Sequence, residues 1–258
     1  MSDWGLVLPP SRPGESILRL IEAFIVERPH VTEACVLGAT PEYRDILARA
    51  GIHGTIVDRS PDFFGYATQL CAQPRVETVI YADWLTELPR HAGRFDLILS
   101  HLTHGNVPFD RKSQFFEAVR NALRPGGIFI DYVLNLQGDG YDVESVTRLF
   151  SRRPINLLVA NDFNCQAIFQ SSHIRDLGVV DTSAIHGLYD GEAVDPCVRT
   201  LDTLANKITP RGMTWYYAFD RPENQFGYYD GYRILMSWPE PQTSPYYGVA
   251  TLQFLSKQ

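Results

Sequence analysis

Ala34-Cys-Val-Leu-Gly-Ala-Thr-Pro-Glu-Tyr-Arg44 is the stretch from which the fold can be read. Val36 and Leu37 are apolar and suit a short buried strand. Gly38 permits a sharp exit or a close approach of backbone to a ligand. Thr40 has the character of an N-cap, and Pro41 stands at the first helical position, where its missing N–H costs nothing. A helix through Ile46, Leu47 and Ala50 follows, and Gly51 ends it. Strand, glycine turn and helix together make the first unit of a nucleotide-binding α/β sheet.

The same rhythm continues on both sides of this stretch. Upstream, Ile17, Leu18, Ile21, Phe24 and Ile25 fall at helical spacing, and Pro29 stops that helix. Residues 1–13 hold Trp4 and a Pro-rich run and predict an ordered arm or flap. Downstream, strands are expected at 54–58, 76–82 and 95–100, with a helix opening at Ser60-Pro61 and another over 110–123. Arg124-Pro-Gly-Gly127 reads as a turn, followed by a strand over 128–134. This alternation predicts a doubly wound, mostly parallel sheet. After Leu136 the rhythm breaks. Residues 143–150 look helical, but 151–205 support no single assignment. Residues 231–238 and 247–255 read as an antiparallel hairpin at a sheet edge, joined by a Pro-rich loop. The organisation expected is an N-terminal arm and helix over 1–30, a core over 31–136, a substrate or lid region over 137–230, and closing strands over 231–258.

Bulk properties narrow the function. The chain has 258 residues, 45% of them hydrophobic, enough for one large domain with a sizeable core. Its formal net charge is −7 and it has no Lys/Arg cluster, which argues against nucleic acid as a partner. The four cysteines form no C-x-x-C pair, so neither a zinc site nor a disulfide framework is expected. With no long apolar run and no basic-then-apolar leader at the N-terminus, a cytoplasmic protein without a membrane partner is the expectation.

The turn itself selects among nucleotides. A dinucleotide turn uses G-x-G-x-x-G so that backbone N–H groups reach a pyrophosphate. Here Gly38 stands alone, Pro41 removes an N–H, and Glu42 adds negative charge to the first turn. Thr40's hydroxyl is expected to occupy one of the remaining donors. Phosphate is disfavoured, and a ligand that carries adenosine without phosphate fits better. S-adenosylmethionine is such a ligand. Asp58 ends the second strand, 20 residues after Gly38, where an acid commonly accepts from ribose hydroxyls. Asp83 ends the third strand and can accept from an adenine amino group, with Trp84 supplying a backbone N–H and an aromatic wall.

These motifs carry a resemblance. Trp4, Pro10-Ser-Arg-Pro13, Leu37-Gly-Ala-Thr-Pro-Glu42, Val57-Asp58, Ala82-Asp-Trp84, Phe95-Asp-Leu97 and Leu123-Arg-Pro-Gly-Gly127 resemble the ordered motifs of class I S-adenosylmethionine-dependent methyltransferases. The L-G-A-T-P-E loop is similar to that of a bacterial subgroup. The likeness covers roughly residues 1–135 and the terminal hairpin. It implies a Rossmann-like, seven-stranded sheet, S-adenosylmethionine as cofactor and S-adenosylhomocysteine as product. Cofactor contacts are expected from Arg12, Gly38, Ala39, Thr40, Glu42, Asp58, Arg59, Asp83, Trp84 and Ser100. The loop lacks the commoner second and third glycines, a departure for which Glu42 or Arg12 would compensate at the methionine limb.

Methyl transfer from a sulfonium is an in-line displacement that rests mainly on positioning. A hydroxyl or protonated amine acceptor also needs a base. Ser100-His-Leu-Thr-His104 leaves strand four where the sulfur should lie, making His101 and His104 the candidate bases. A scaffold role is the alternative for each, and a metal reading of the pair lacks carboxylates at suitable spacing. Asp131 and Tyr132 are candidate substrate contacts, and the aromatic residues between Trp215 and Tyr232 are a candidate pocket lining or simply core. The reading is transfer to a small molecule, with oxygen preferred over nitrogen and a homodimer allowed. Rivals are a protein or RNA methyltransferase, a non-catalytic S-adenosylmethionine-binding subunit and an oxidoreductase.

Overall fold

A computed structural model of the chain describes residues 7–8, 12–74, 76–134, 138–174, 178–216, 227–239 and 250–258. Trp4, Pro10 and Ser11, the residues between Tyr216 and Gly227, and the Pro-rich loop at 240–249 lie outside them.

The first half alternates as expected. Helix α1 (Glu15–Val26) buries Ile17, Ile21 and Ile25, four residues apart on one face. Strand β1 (Glu33–Leu37) is almost wholly buried and leads into α2 (Pro41–Arg49). Strand β2 (His53–Asp58) precedes α3 (Pro61–Leu70), whose N-cap Ser60 accepts from Phe63 N at 3.1 Å. Then come β3 (Glu77–Tyr81), the short α4 (Trp84–Glu87), β4 (Phe95–His101) and α5 (Lys112–Ala122).

Two local expectations need correcting. Thr40 is the N-cap of α2 but its side chain makes no capping bond. At φ −49° and ψ 110° its backbone has left the extended region from which a cap reaches the helix N–H groups. Arg124–Gly127 is a kink inside one long strand, β5 (Leu123–Leu134), at a register shift against β4. A Cβ on Gly127 would sit 2.9 Å from Arg124 O and 3.1 Å from Phe95 O, so only glycine lets the strand fold that tightly.

The second half is mostly helical. Helix α6 (Val143–Phe150) matches expectation. Helix α7 (Leu157–Phe163) runs into a π-helical turn (Asn164–Phe169). Strand β6 (Val179–Asp181) pairs antiparallel with β7 (Thr214–Tyr216), and α8 (Thr182–Gly187) and α9 (Pro196–Ile208) lie between them in sequence. Strands β8 (Tyr232–Pro239) and β9 (Ala250–Lys257) complete the main sheet.

That sheet has seven strands in the order β3-β2-β1-β4-β5-β9-β8. The first five are parallel, and β9 runs antiparallel to both β5 and β8. Each face carries its own core, because side chains alternate along a strand. Leu97 and Leu99 join α1, α2 and the second-half helices, while Ile98 joins α4 and α5. The first of these cores is continuous from Val36 and Ile130 through Phe150 and Phe163 to Leu201. Residues 143–208 therefore pack as part of one hydrophobic body with the sheet. Among the described residues no helix is long and apolar enough to cross a membrane.

Candidate active site

A cavity of about 510 Å³ opens over the C-terminal tips of β1, β2 and β4. In an open parallel sheet this is where the strand order reverses and a crevice forms. Gly38, Ala39 and Thr40 wall it after β1, and Asp58, Arg59 and Ser60 after β2. Gly38 has φ +91°, and a Cβ there would point to within 3.9 Å of Asp58 Oδ2. Asp58 Oδ1 accepts from Ser60 N at 2.8 Å. Burial pushes the Asp58 carboxyl above the usual range, against the pull of the Ser60 and Ala39 N–H groups. Phe63 and Trp84 close this end. The Trp84 indole is fixed by its N–H, which donates to Val57 O at 2.7 Å.

The middle of the cavity is the end of β4. His101 is 9% exposed, faces the cavity and stacks on Tyr132 with ring centroids 4.6 Å apart and planes 12° apart. Its Nδ1 lies 3.4 Å from the Tyr43 hydroxyl. Leu102 follows at φ +57°, the left-handed region that a leucine adopts only under constraint. The constraint is visible: Leu102 N donates to Tyr132 O at 2.9 Å, and the Thr103 hydroxyl donates to Leu37 O at 2.9 Å. Leu102, Thr103 and Asn106 all wall the cavity.

The far wall belongs to the second half of the chain, with Phe169 from the π-helical turn, Ile208 and Thr209 from the end of α9, and Met213 and Trp215 beside or within β7. Val7 joins them, and Leu8 N donates to Asn161 Oδ1 of α7 at 2.9 Å, which ties the arm to this wall. None of these wall residues stood out in the sequence apart from Trp215.

Several residues expected in the site lie behind it. Ser100 and Asp131 are paired neighbours in the sheet and face α5, whereas His101 faces the cavity. One step along a pleated strand reverses the face, and this parity separates them. Tyr132 is on the cavity face but fully buried beneath the His101 ring. His104 turns inward, its Nδ1–H donating to Asp131 Oδ2 at 3.0 Å, and the Tyr229 hydroxyl reaches the same oxygen at 3.4 Å. Burial lowers the His104 pKa, with Asp131 opposing, so the ring is neutral near pH 7. Lys112 is wholly buried beside this group, and its ammonium donates to His104 O at 2.9 Å and to Tyr216 O at 2.6 Å. Burial pulls its pKa down to about 7. Arg12 donates to Glu42 and neither walls the cavity. Asp83 caps α4 through Leu85 N at 2.9 Å and also stands off the wall. Among the described residues, no three His, Cys, Asp or Glu side chains come together as metal ligands.

Residues 39–127, which supply most of the cofactor-end wall, match the family model described as a methyltransferase domain. Over these residues the chain carries a methyltransferase domain, set on the seven-stranded sheet described above. Solved structures of the same fold include a Burkholderia thailandensis 1,6-didemethyltoxoflavin-N1-methyltransferase with bound 1,6-didemethyltoxoflavin and S-adenosylhomocysteine. It is 14% identical, with a TM-score of 0.51 over 93% of this methyltransferase and 78% of that chain. The magnesium protoporphyrin IX methyltransferase of Synechocystis PCC 6803, with bound S-adenosylhomocysteine, is 13% identical, with a TM-score of 0.52 over 94% of this chain and 82% of that one. A Rhodobacter sphaeroides protein provisionally named a Zn-dependent alcohol dehydrogenase is 16% identical, with a TM-score of 0.59 over 99% of this chain and 94% of that one. At these identities the likeness concerns fold alone. No curated protein sequence matches the methyltransferase significantly.

Proposed function

We propose that this methyltransferase acts on a small-molecule acceptor, with His101 as the general base. The observation that carries the reading is the composition of the cavity. Among its described walls, His101 is the one histidine, and it stands between the strand-tip half and the α9–β7 half. The cavity has the size of a small-molecule site and is walled on the acceptor side by Phe169, Ile208, Met213 and Trp215.

When bound, S-adenosylmethionine supplies an electrophilic methyl group on a sulfonium. Asp58 offers a carboxylate to the ribose hydroxyls, Gly38 and Ala39 offer backbone, and Phe63 and Trp84 offer flat walls to adenine. Thr40, free of capping duty, presents its hydroxyl to the same end, and Arg59 completes the β2 tip. Arg12 with Glu42, and Asp83 with Leu85 N, steady the helix starts that carry these groups. Val7 of the arm, with Phe169, Ile208, Met213 and Trp215, covers the acceptor. Tyr132 holds the His101 ring from below, and His104 and Asp131 support the loop that follows β4. A hydroxyl acceptor is preferred over an amine, because a hydroxyl gains most from losing its proton in the transfer step.

The test pairs calorimetry with turnover. S-adenosylhomocysteine should bind to the wild type and to His101→Gln alike, while His101→Gln loses turnover on a small-molecule panel. Equal turnover would remove the base, and methylation of protein or RNA but of no small molecule would remove the acceptor class.

A further inference from the structure

We infer that the acceptor is an uncharged, flat and largely apolar molecule that presents one neutral hydroxyl or ring N–H to His101. The inference rests on the reading above and narrows its acceptor.

The acceptor half of the cavity is walled mainly by apolar side chains, with Thr209 among them. Val7, Leu102, Ile208 and Met213 are aliphatic or thioether walls. Phe169 and Trp215 meet at 5.4 Å between ring centroids with planes 51° apart. Two aromatic faces set at that angle make a corner that receives a planar ring by offset or edge contact.

Among the described walls, charge lies at the opposite end. The ionisable acid and base among them are Asp58 and Arg59, both at the tip of β2. Three cations of the described residues are held by other groups. Lys112 donates inward to two backbone carbonyls, Arg211 holds Asp190 at 2.9 and 2.6 Å, and Arg153 holds Asp162. An acceptor bearing a carboxylate or phosphate would lose its hydration there and gain no partner. Hydrogen-bonding capacity is sparse as well. The Thr103 hydroxyl is spent on Leu37 O, and the Asn106 amide N–H on Thr103 O at 3.3 Å. His101, whose Nδ1 lies 3.4 Å from the Tyr43 hydroxyl, and Thr209 are further polar side chains on these walls, and the base role is assigned to His101.

A neutral acceptor also gives the base its task. The acceptor O–H or N–H bond breaks and its proton passes to His101. The electron pair so released bonds to the methyl carbon, and the carbon–sulfur bond breaks with its pair left on sulfur. A carboxylate would need no base at all.

Matched probes test this. 2-Naphthol and 2-naphthoate share one ring system and differ in charge. Calorimetry on enzyme saturated with S-adenosylhomocysteine should show 2-naphthol binding roughly tenfold or more tightly than 2-naphthoate. Trp215→Ala should weaken 2-naphthol about tenfold while S-adenosylhomocysteine affinity stays the same, and Trp215→Phe should restore most of the loss. Met213→Lys places a cation on the wall and should reverse the preference towards 2-naphthoate, independently of how Trp215→Ala folds. The proposal is overturned if 2-naphthoate binds as well as 2-naphthol, if Met213→Lys leaves the preference unchanged, or if neither probe binds to enzyme that holds S-adenosylhomocysteine. Failure to bind S-adenosylhomocysteine itself would instead overturn the site reading on which the proposal stands.

Discussion

The two ends of the cavity are walled by different parts of the chain. At the tips of β1 and β2 the wall is largely backbone and short side chains, held by parallel register on both sides of β1. At the other end it is bulky side chains, carried by a helix end, a π-helical turn and a three-residue strand paired with β6. Backbone walls are fixed by the ladder and change little with sequence. Side-chain walls change with every substitution. The sheet end therefore suits a constant ligand, and the α9–β7 end suits one that differs between members of a fold.

Substitutions can break or sharpen that contrast. Gly38→Val puts a β-branched residue at φ +91° beside Asp58, and should weaken S-adenosylhomocysteine roughly 100-fold by calorimetry. Wild-type affinity would mean that the backbone of this turn is not part of the wall.

The seam between the ends is next. Lys112 bridges His104 O and Tyr216 O, and its folded pKa of about 7 lies below that of a free lysine. Its contribution to stability is therefore complete above pH ~10.5 and is lost as pH falls through about 7. The neutral amine keeps two N–H donors, enough for both carbonyls. Relative to Lys112→Met, the wild type should gain on the order of 2 kcal/mol between pH 7 and 10 in urea unfolding. A constant difference would show that the bridge does not titrate there.

Asp58→Ala should cost about tenfold in S-adenosylhomocysteine affinity, the worth of hydrogen bonds to a charged group, and leave 2-naphthol binding unchanged. An equal loss of both ligands would merge the two ends into one site. The smallest effect is expected from Thr40→Ala. With no capping bond to lose, stability should fall by less than ~0.5 kcal/mol, against ~1 kcal/mol for a working cap. A loss near the larger value in thermal unfolding would restore the cap.

The sheet end was legible because each strand there ends in one informative residue, Gly38, Asp58 or Trp84, and turn chemistry is local. Parity was not legible. Whether Ser100 or His101 faces the crevice depends on how the pleat sits against its neighbours, and that is a tertiary fact. The far wall was hidden for another reason. Helix α7 exposes Leu157 and Leu158, 40% and 66% accessible, and buries Asn161 and Asp162. Those two are buried because they hold Leu8 N and Arg153. A helix whose polar residues point inward gives the wrong periodicity, and the π-helical turn after it shifts the phase again. The two strands at 232–239 and 250–257 were readable by alternation, but the position of β9 between β5 and β8 was not.

That position has a consequence for biosynthesis. β5 is complete at Leu134, yet the strand that covers its free edge is not made until Lys257. At roughly 5–20 residues per second, the intervening stretch of about 120 residues takes some 6–25 s to synthesise. Throughout that time the edge Ile128-Phe-Ile-Asp-Tyr-Val-Leu134 lacks the β9 strand that pairs with it in the finished sheet. The nascent chain is then most exposed to pairing with a neighbour on the same polysome, and a slow codon run or a stalled ribosome between these two strands would aggregate this enzyme sooner than the same pause placed before β5.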